Sequence, residues 1–151
     1  MTNDVPTRFG GPQESPGFLL WQVSMSWQRA QRDALATLDL THPQFVLLAC
    51  AAWLAGATGE PPSQAALAAQ ANVDVMMTSQ VVRTLEAKGL VRRAPDPADA
   101  RALRVTLTAA GKGALAKAMP LVEDVDADFF APLGKRGAKQ IVETFTLLSK
   151  R

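Results

Sequence analysis

The chain has 151 residues, is 48% hydrophobic and 20% charged, and carries a net charge of +2. That length holds one domain, or one domain with a helical extension, and the composition is far from that of a disordered chain. A lone cysteine, Cys50, excludes an intramolecular disulfide framework, and with a lone histidine, His42, it excludes a metal site built from Cys and His without carboxylates.

The basic residues are unevenly spread. Residues 83–104 hold six lysines or arginines (83, 88, 92, 93, 101, 104) against three acids (86, 96, 99), whereas residues 112–128 hold two lysines against four acids. A local positive surplus of this kind suggests an anionic partner.

Residues 1–17 are polar with glycine and proline, so they read as a flexible arm and not as a signal peptide. Residues 18–37 carry apolar side chains at 19, 20, 23, 27, 30 and 34, which is helical spacing. Thr41 and Gln44 match a capping box, with Pro43 in the first turn where a missing N–H costs little. The helix they start should run through FVLLACAAWLA and stop near Gly56. Its apolar centre, residues 45–55, is too short to cross a bilayer. A cytoplasmic protein without membrane contact is the expectation.

A short helix over residues 63–71, a tight break at Asn72-Val73, and a second helix capped by Asp74 and ending at Lys88-Gly89 come next. Leu90–Arg93 and Leu103–Thr108 read as the two strands of a hairpin. Thr108 starts another helix with apolar positions 115, 119, 122, 125 and 129, which Pro120 should kink. A last helix from about Lys135 is apolar at 141, 142, 145, 147 and 148.

The fold class expected is therefore mainly α with a small antiparallel β-wing. A short helix joined by a tight turn to a second helix is the helix-turn-helix arrangement, whose second helix lies in a DNA major groove. On that helix Ser79, Gln80 and Arg83 share one face, while Thr78, Val81, Val82 and Leu85 share the opposite one. The hairpin beside it would set its tip, stiffened by Pro95 and Pro97, against the neighbouring backbone or minor groove. A narrow minor groove attracts an inserted arginine, and Arg101 stands at the tip.

The run SQAALAAQANVDVMMTSQVVRTLEAKGLVRRAPDPADARALRVTLTAAG resembles the winged helix-turn-helix of the MarR-type transcriptional regulators. The resemblance rests on Leu67-Ala68, on Leu85-Glu86-Ala87-Lys88-Gly89, and on Leu90-Val91 followed by Arg93. It continues through Asp99-Ala100-Arg101 and Val105-Thr106-Leu107-Thr108-Ala109-Ala110-Gly111, and the flanking long helices extend it over nearly the whole chain. The short helix departs from the pattern, since Gln64-Ala65-Ala66 and Ala69-Gln70 offer few side chains for phosphate contact.

The resemblance implies a winged helix-turn-helix over 41–108, an arm over 1–17, and dimerisation helices over 18–40 and 109–151. It implies that Ser79, Gln80 and Arg83 face the bases, that Arg93 binds phosphate, and that Arg101 enters the minor groove held by a salt bridge from Asp99. A homodimer on a pseudo-palindromic double-stranded operator follows. The wide apolar stripes of residues 18–37 and 135–150 independently ask for a second copy to cover them. Family members also bind small, often aromatic, anions between the dimerisation helices and the DNA-binding domain. Trp21, Ser24, Met25, His42, Phe45 and Trp53 are the residues for such a pocket here, the aromatics by stacking and His42 by a charge-assisted hydrogen bond.

Plainer roles stand beside these. Ser79 and Gln80 also read as ordinary surface polars, and Trp21, Phe45 and Trp53 as core. His42 also reads as serving a local hydrogen bond at a helix start. Met76 and Met77 read as packing for at least one of the two. Cys50, between apolar neighbours, reads as an inert thiol. No nucleophile–base pair, phosphate-cradling glycine loop or metal motif is visible, so neither an enzyme nor a cofactor is expected. The leading function is a ligand-released, DNA-binding repressor. The alternative is a winged-helix protein-interaction module without specific DNA binding, in which acidic residues 123–128 meet a basic partner.

Overall fold

The computed structural model describes residues 5–150. Residues 1–4 of the expected arm and residue 151 of the expected dimerisation region lie outside them. Six α-helices and one two-stranded antiparallel sheet follow in chain order among the described residues. They are α1 (Pro16–Ala36), α2 (His42–Thr58), α3 (Gln64–Ala71), α4 (Val75–Ala87), β1 (Val91–Pro95), β2 (Leu103–Leu107), α5 (Ala109–Phe130) and α6 (Gly134–Ser149).

Local chemistry sets most helix starts. The Ser15, Ser63, Asp74 and Thr108 side chains accept from Phe18, Ala66, Met77 and Gly111 N–H respectively, each satisfying an orphan donor of the first turn. The Thr41–Gln44 capping box is formed in both directions, at 3.2 and 3.1 Å. Two helix boundaries differ from expectation. Helix α1 starts at Pro16, inside the stretch read as arm, because Ser15 caps it and a short turn at Pro12–Glu14 leads in. Helix α2 passes Gly56 and ends at Thr58, because it is Gly59 that takes the left-handed conformation (φ 76°). Pro120 forfeits one backbone hydrogen bond on an exposed position without interrupting α5.

The strands pair Val91 with Leu107 through to Pro95 with Leu103. Thr108, read both as the last residue of the second strand and as the start of the next helix, lies outside β2 and caps α5, and β1 runs past the expected Arg93 to Pro95. The hairpin is anchored beyond its own ladder: Val105 N–H donates to Pro62 O at 2.9 Å, and Ser63 bridges Arg104.

The core joins these pieces. Leu35 and Leu40 from the α1 region meet Phe45, Leu47, Leu48 and Ala51 of α2 and Leu67 of α3. Val82 and Leu85 of α4, Val91 and Val105 of the hairpin, and Ala118 and Val122 of α5 complete it. Leu48 is fully buried at its centre, a site where truncation to alanine costs about 2–5 kcal/mol. Thr78, Val82 and Leu85 bury one face of α4, so its other face is left to solvent. No residue of α6 is buried within the chain.

Candidate nucleic-acid interface

Helix α4 is turned as its periodicity requires. Gln80 and Arg83 are exposed and Ser79 is half-buried, on the side away from Thr78, Val82 and Leu85. Arg83 folds back along the helix, with Nε and Nη2 each 3.4 Å from the Ser79 carbonyl and hydroxyl oxygens. The structure thus brings Ser79 and Arg83 into one unit, with Gln80 beside them. Of the two methionines, Met76 is 77% exposed and Met77 half-buried.

The hairpin stands next to α4. Asp96 N–H donates to Ala102 O at 2.8 Å and Ala102 N–H to Asp99 O at 3.0 Å, closing the tip. Arg101 is exposed there. The salt bridge expected from Asp99 is not formed: Asp99 Oδ1 accepts instead from the Arg101 backbone N–H at 3.0 Å. An aspartate two residues before its partner reaches that backbone in an Asx turn, so it shapes the tip and leaves the guanidinium unpaired by it.

Two other arginines of the hairpin have partners inside the protein. Arg93 grips Glu86, with Nη2–Oε1 at 2.9 Å and a side chain only 22% exposed. Arg104 meets Asp96 at 2.8 Å and Glu60 at 3.3 Å. Hydrogen bonds from Arg93 hold the Glu86 carboxyl below the usual carboxylate range, and those from Arg104 do the same for Asp96. Both acids therefore stay ionised, each beside an arginine. Arg92, exposed on β1 opposite Thr106, adds a cation that reading the sequence did not single out.

A second feature lies behind α4. A cleft of about 740 Å³ opens between α1, α2, the α3–α4 turn and the end of α4, lined among others by Trp27, Arg32, His42, Met77 and Lys88. Asp126 of α5 accepts from Trp27 Nε1 at 2.8 Å and from buried Gln31 Nε2 at 2.9 Å, which fixes the indole in the wall. His42 meets Trp27 edge-on at 5.0 Å and lies parallel to Phe45 at 6.5 Å. Burial lowers the His42 pKa against the opposing pull of Asp126, so the ring is neutral at pH 7. Lys88 donates to the Asp39 carbonyl and, at 3.2 Å, to Gln44 Oε1, tying the end of α4 to the α1–α2 junction.

Only His42 of the six expected pocket residues lines this cleft. Trp21 and Trp53 are each 61% exposed and lie elsewhere, Phe45 is core behind His42, and Ser24 and Met25 are half-buried outside the lining. The aromatic wall comes instead from Trp27, which the sequence offered only as one apolar position in the helical spacing of the first helix. Its cations come from Arg32, which no local pattern singles out, and from Lys88, which the sequence marked only as part of the Leu85–Gly89 motif. Cys50 is half-buried and burial raises its pKa, which disfavours the thiolate. Among the described residues no helix is long and apolar enough to cross a membrane. Nor do three or more His, Cys, Asp or Glu side chains gather to hold a metal ion.

Comparison with known proteins bears on the family and the fold. Residues 40–103 match the family model described as MarR family. The HTH-type transcriptional regulator YdcH of Bacillus subtilis is 46% identical over 130 residues, covering 86% of this chain and 88% of that protein. An HTH-type transcriptional repressor of Mycobacterium tuberculosis is 35% identical over 117 residues, 78% of this chain and 81% of that one. Among solved structures, the M. tuberculosis transcriptional regulator MOSR in complex with DNA superposes with a TM-score of 0.76 at 27% identity, over 91% of this chain and 95% of that chain. With a relative this similar along most of its length, a matching family model over the helix-turn-helix and the same fold, the chain belongs to the MarR family of transcriptional regulators.

Proposed function

We propose that this transcriptional regulator acts as a cytoplasmic homodimer that binds a pseudo-palindromic operator in double-stranded DNA. It works as a repressor without any catalytic step, and a small aromatic anion releases it. The observation that carries the reading is α4. Its buried face is apolar, its opposite face offers Ser79, Gln80 and Arg83, and a hairpin with exposed Arg101 stands beside it.

The mechanism follows from group chemistry. Arg83 suits the paired acceptors of a guanine edge, and Gln80 those of an adenine. Arg101 enters the flanking minor groove, and exposed Arg92 neutralises phosphate. Arg93 reaches phosphate only with what Glu86 leaves it, so its contribution is chiefly to hold the hairpin. Asp99 shapes the tip that presents Arg101.

Dimerisation uses α1 and α6, on which Leu20 and Trp21, and Val142 and Leu147, are each more than half exposed within the single chain. A second copy covers that surface. The effector lies in the cleft of Trp27 and His42, its ring against the indole and its carboxylate or phenolate toward Arg32 and Lys88. Since Lys88 ends the recognition helix, an anion that draws it away from Asp39 and Gln44 moves that helix.

The test is selection of duplexes from a randomised pool, followed by a salt titration of the selected site. A two-fold-symmetric site, with affinity falling steeply as salt rises, is the expected outcome. Failure to enrich any sequence overturns the reading in favour of a protein-interaction module.

A further inference from the structure

The linker from α4 to β1 is short, Lys88 to Leu90, and contains Gly89 in the left-handed conformation (φ 73°). Glycine makes such a joint permissive and does not choose an angle. One side chain of α4 hydrogen-bonds across it to β1. Glu86, in the last turn of α4, accepts through Oε2 from the Arg93 backbone N–H at 3.1 Å. Through Oε1 it accepts from Arg93 Nε at 3.2 Å and Nη2 at 2.9 Å. A single carboxylate thus takes three donors of one β1 residue, two from the guanidinium fork and one from the main chain. Charge-assisted bonds in this geometry fix orientation as well as distance.

An acid at this place is otherwise a disadvantage. It stands between the recognition helix and the hairpin, in a region whose exposed arginines face a polyanion, and by charge alone it repels the ligand. Its position has a geometric use. A strand of five residues is about 16 Å long, so a tilt of roughly 10° at its base moves the tip by about 3 Å. That displacement takes a guanidinium out of hydrogen-bond range.

We infer that Glu86 is a positioning residue for DNA recognition: by gripping Arg93 it sets the hairpin's direction relative to α4, so that Arg101 meets its groove while Ser79, Gln80 and Arg83 meet theirs. The inference rests on the proposed role of Arg101, and its test separates the two.

The variant Glu86→Gln keeps the shape and removes one negative charge. It also replaces one acceptor oxygen by an NH₂ that has nothing to offer the Arg93 donors. A solvated acid and a positioning acid then predict opposite signs. Without a positioning role, the more positive surface binds a selected operator duplex more tightly. With it, operator binding weakens at least fivefold while binding to an unrelated duplex of equal length is unchanged or tighter.

The second measurement is a double-mutant cycle with Arg101→Ala on an operator with A·T-rich flanks. Glu86 holds the hairpin from α4, at Arg93, and Arg101 lies at its tip, so loss of one matters to the other through the hairpin's direction. Arg101→Ala is expected to cost at least threefold less in the Glu86→Gln background than in the parent. Arg93→Lys, which keeps the charge and loses the fork, should behave like Glu86→Gln, and it carries the test if Glu86→Gln melts early. Operator affinity equal to or above the parent's in the substituted protein, or an additive cycle, overturns the inference. If Arg101→Ala alone costs nothing, the minor-groove role of Arg101 fails and this inference falls with it.

Discussion

A methyl group added at Gly111 tests how the end of the recognition helix, the hairpin and α5 are locked together. Gly111 is buried in the first turn of α5, where its N–H donates to the Thr108 hydroxyl at 3.0 Å. A Cβ there would lie 1.9 Å from the Leu90 carbonyl oxygen and 2.9 Å from its carbon. The strand entrance must then shift by more than about 1 Å to restore ordinary contact. It is not free to do so, because Leu90 O accepts from Thr108 N–H at 3.0 Å and Gly89 O from the Thr108 hydroxyl at 2.6 Å.

Helix propensity alone favours alanine over glycine by about 1 kcal/mol. Overpacking against backbone costs up to about 3 kcal/mol, and the displaced Leu90–Thr108 bond about 1 kcal/mol more. The net is a destabilisation of about 3 kcal/mol, or a Tm lower by roughly 6–12 °C in a chain of this size.

Gly113, on the same helix, has nothing within 4 Å of its would-be Cβ. Gly113→Ala therefore keeps only the propensity gain, about 0.5–1 kcal/mol, and should melt a few degrees higher. The assay is thermal unfolding followed by circular dichroism at one fixed protomer concentration, since a dimer's Tm depends on it. A Gly111→Ala protein that melts at or above the parent would refute the steric account. Because Leu90 leads into β1, the same variant should also lose operator affinity where Gly113→Ala does not.

Arg101→Ala should weaken operator binding, lower the salt slope by about one unit and cost more on A·T-rich than on G·C-rich flanks; affinity equal to the parent's on both would leave Arg101 without a role. Arg83→Ala should cost on the order of 1–3 kcal/mol and relax preference at one base pair, read by repeating the duplex selection; an unchanged selected site counts against a base contact. Burial lowers the His42 pKa from its ordinary value, so the unfolded chain takes up the proton first. The stability this histidine contributes is present above about pH 6.5 and is lost as pH falls through its lowered folded value. His42→Gln should flatten that part of the Tm–pH profile, and an unchanged slope would assign the effect to another group. Aromatic carboxylates and phenols that occupy the cleft should quench Trp27 and lower operator affinity; quenching that persists in Trp27→Phe would place the ligand near Trp21 or Trp53 instead.

What could be read along the chain was local. The Thr41–Gln44 capping box, the Asp74 and Thr108 caps, the left-handed Gly89 and the apolar face of α4 depend on residues within one or two turns of each other. Hydrogen-bond reach and helical period determine them before any tertiary contact forms. The hairpin strands and the split between an exposed and a core-facing side of α4 were legible for the same reason.

What the tertiary structure decided lies across the fold. Residues more than 90 apart bring Asp126 to Trp27 and Gln31, and this made Trp27 the wall of the cleft while leaving Trp21 and Trp53 outside it. Helical spacing alone gives an inward face and not the neighbour it meets. Lys88 found Asp39 and Gln44 more than 40 residues back, which no period encodes. Even the hairpin's charges divided by contact. Arg93 and Arg104 turned to Glu86, Asp96 and Glu60, whereas Arg101 stayed exposed with Asp99 bound to its backbone. Composition counts an arginine as one positive charge wherever it stands, but only the folded geometry determines whether that charge faces a carboxylate of its own chain or the solvent from which DNA approaches.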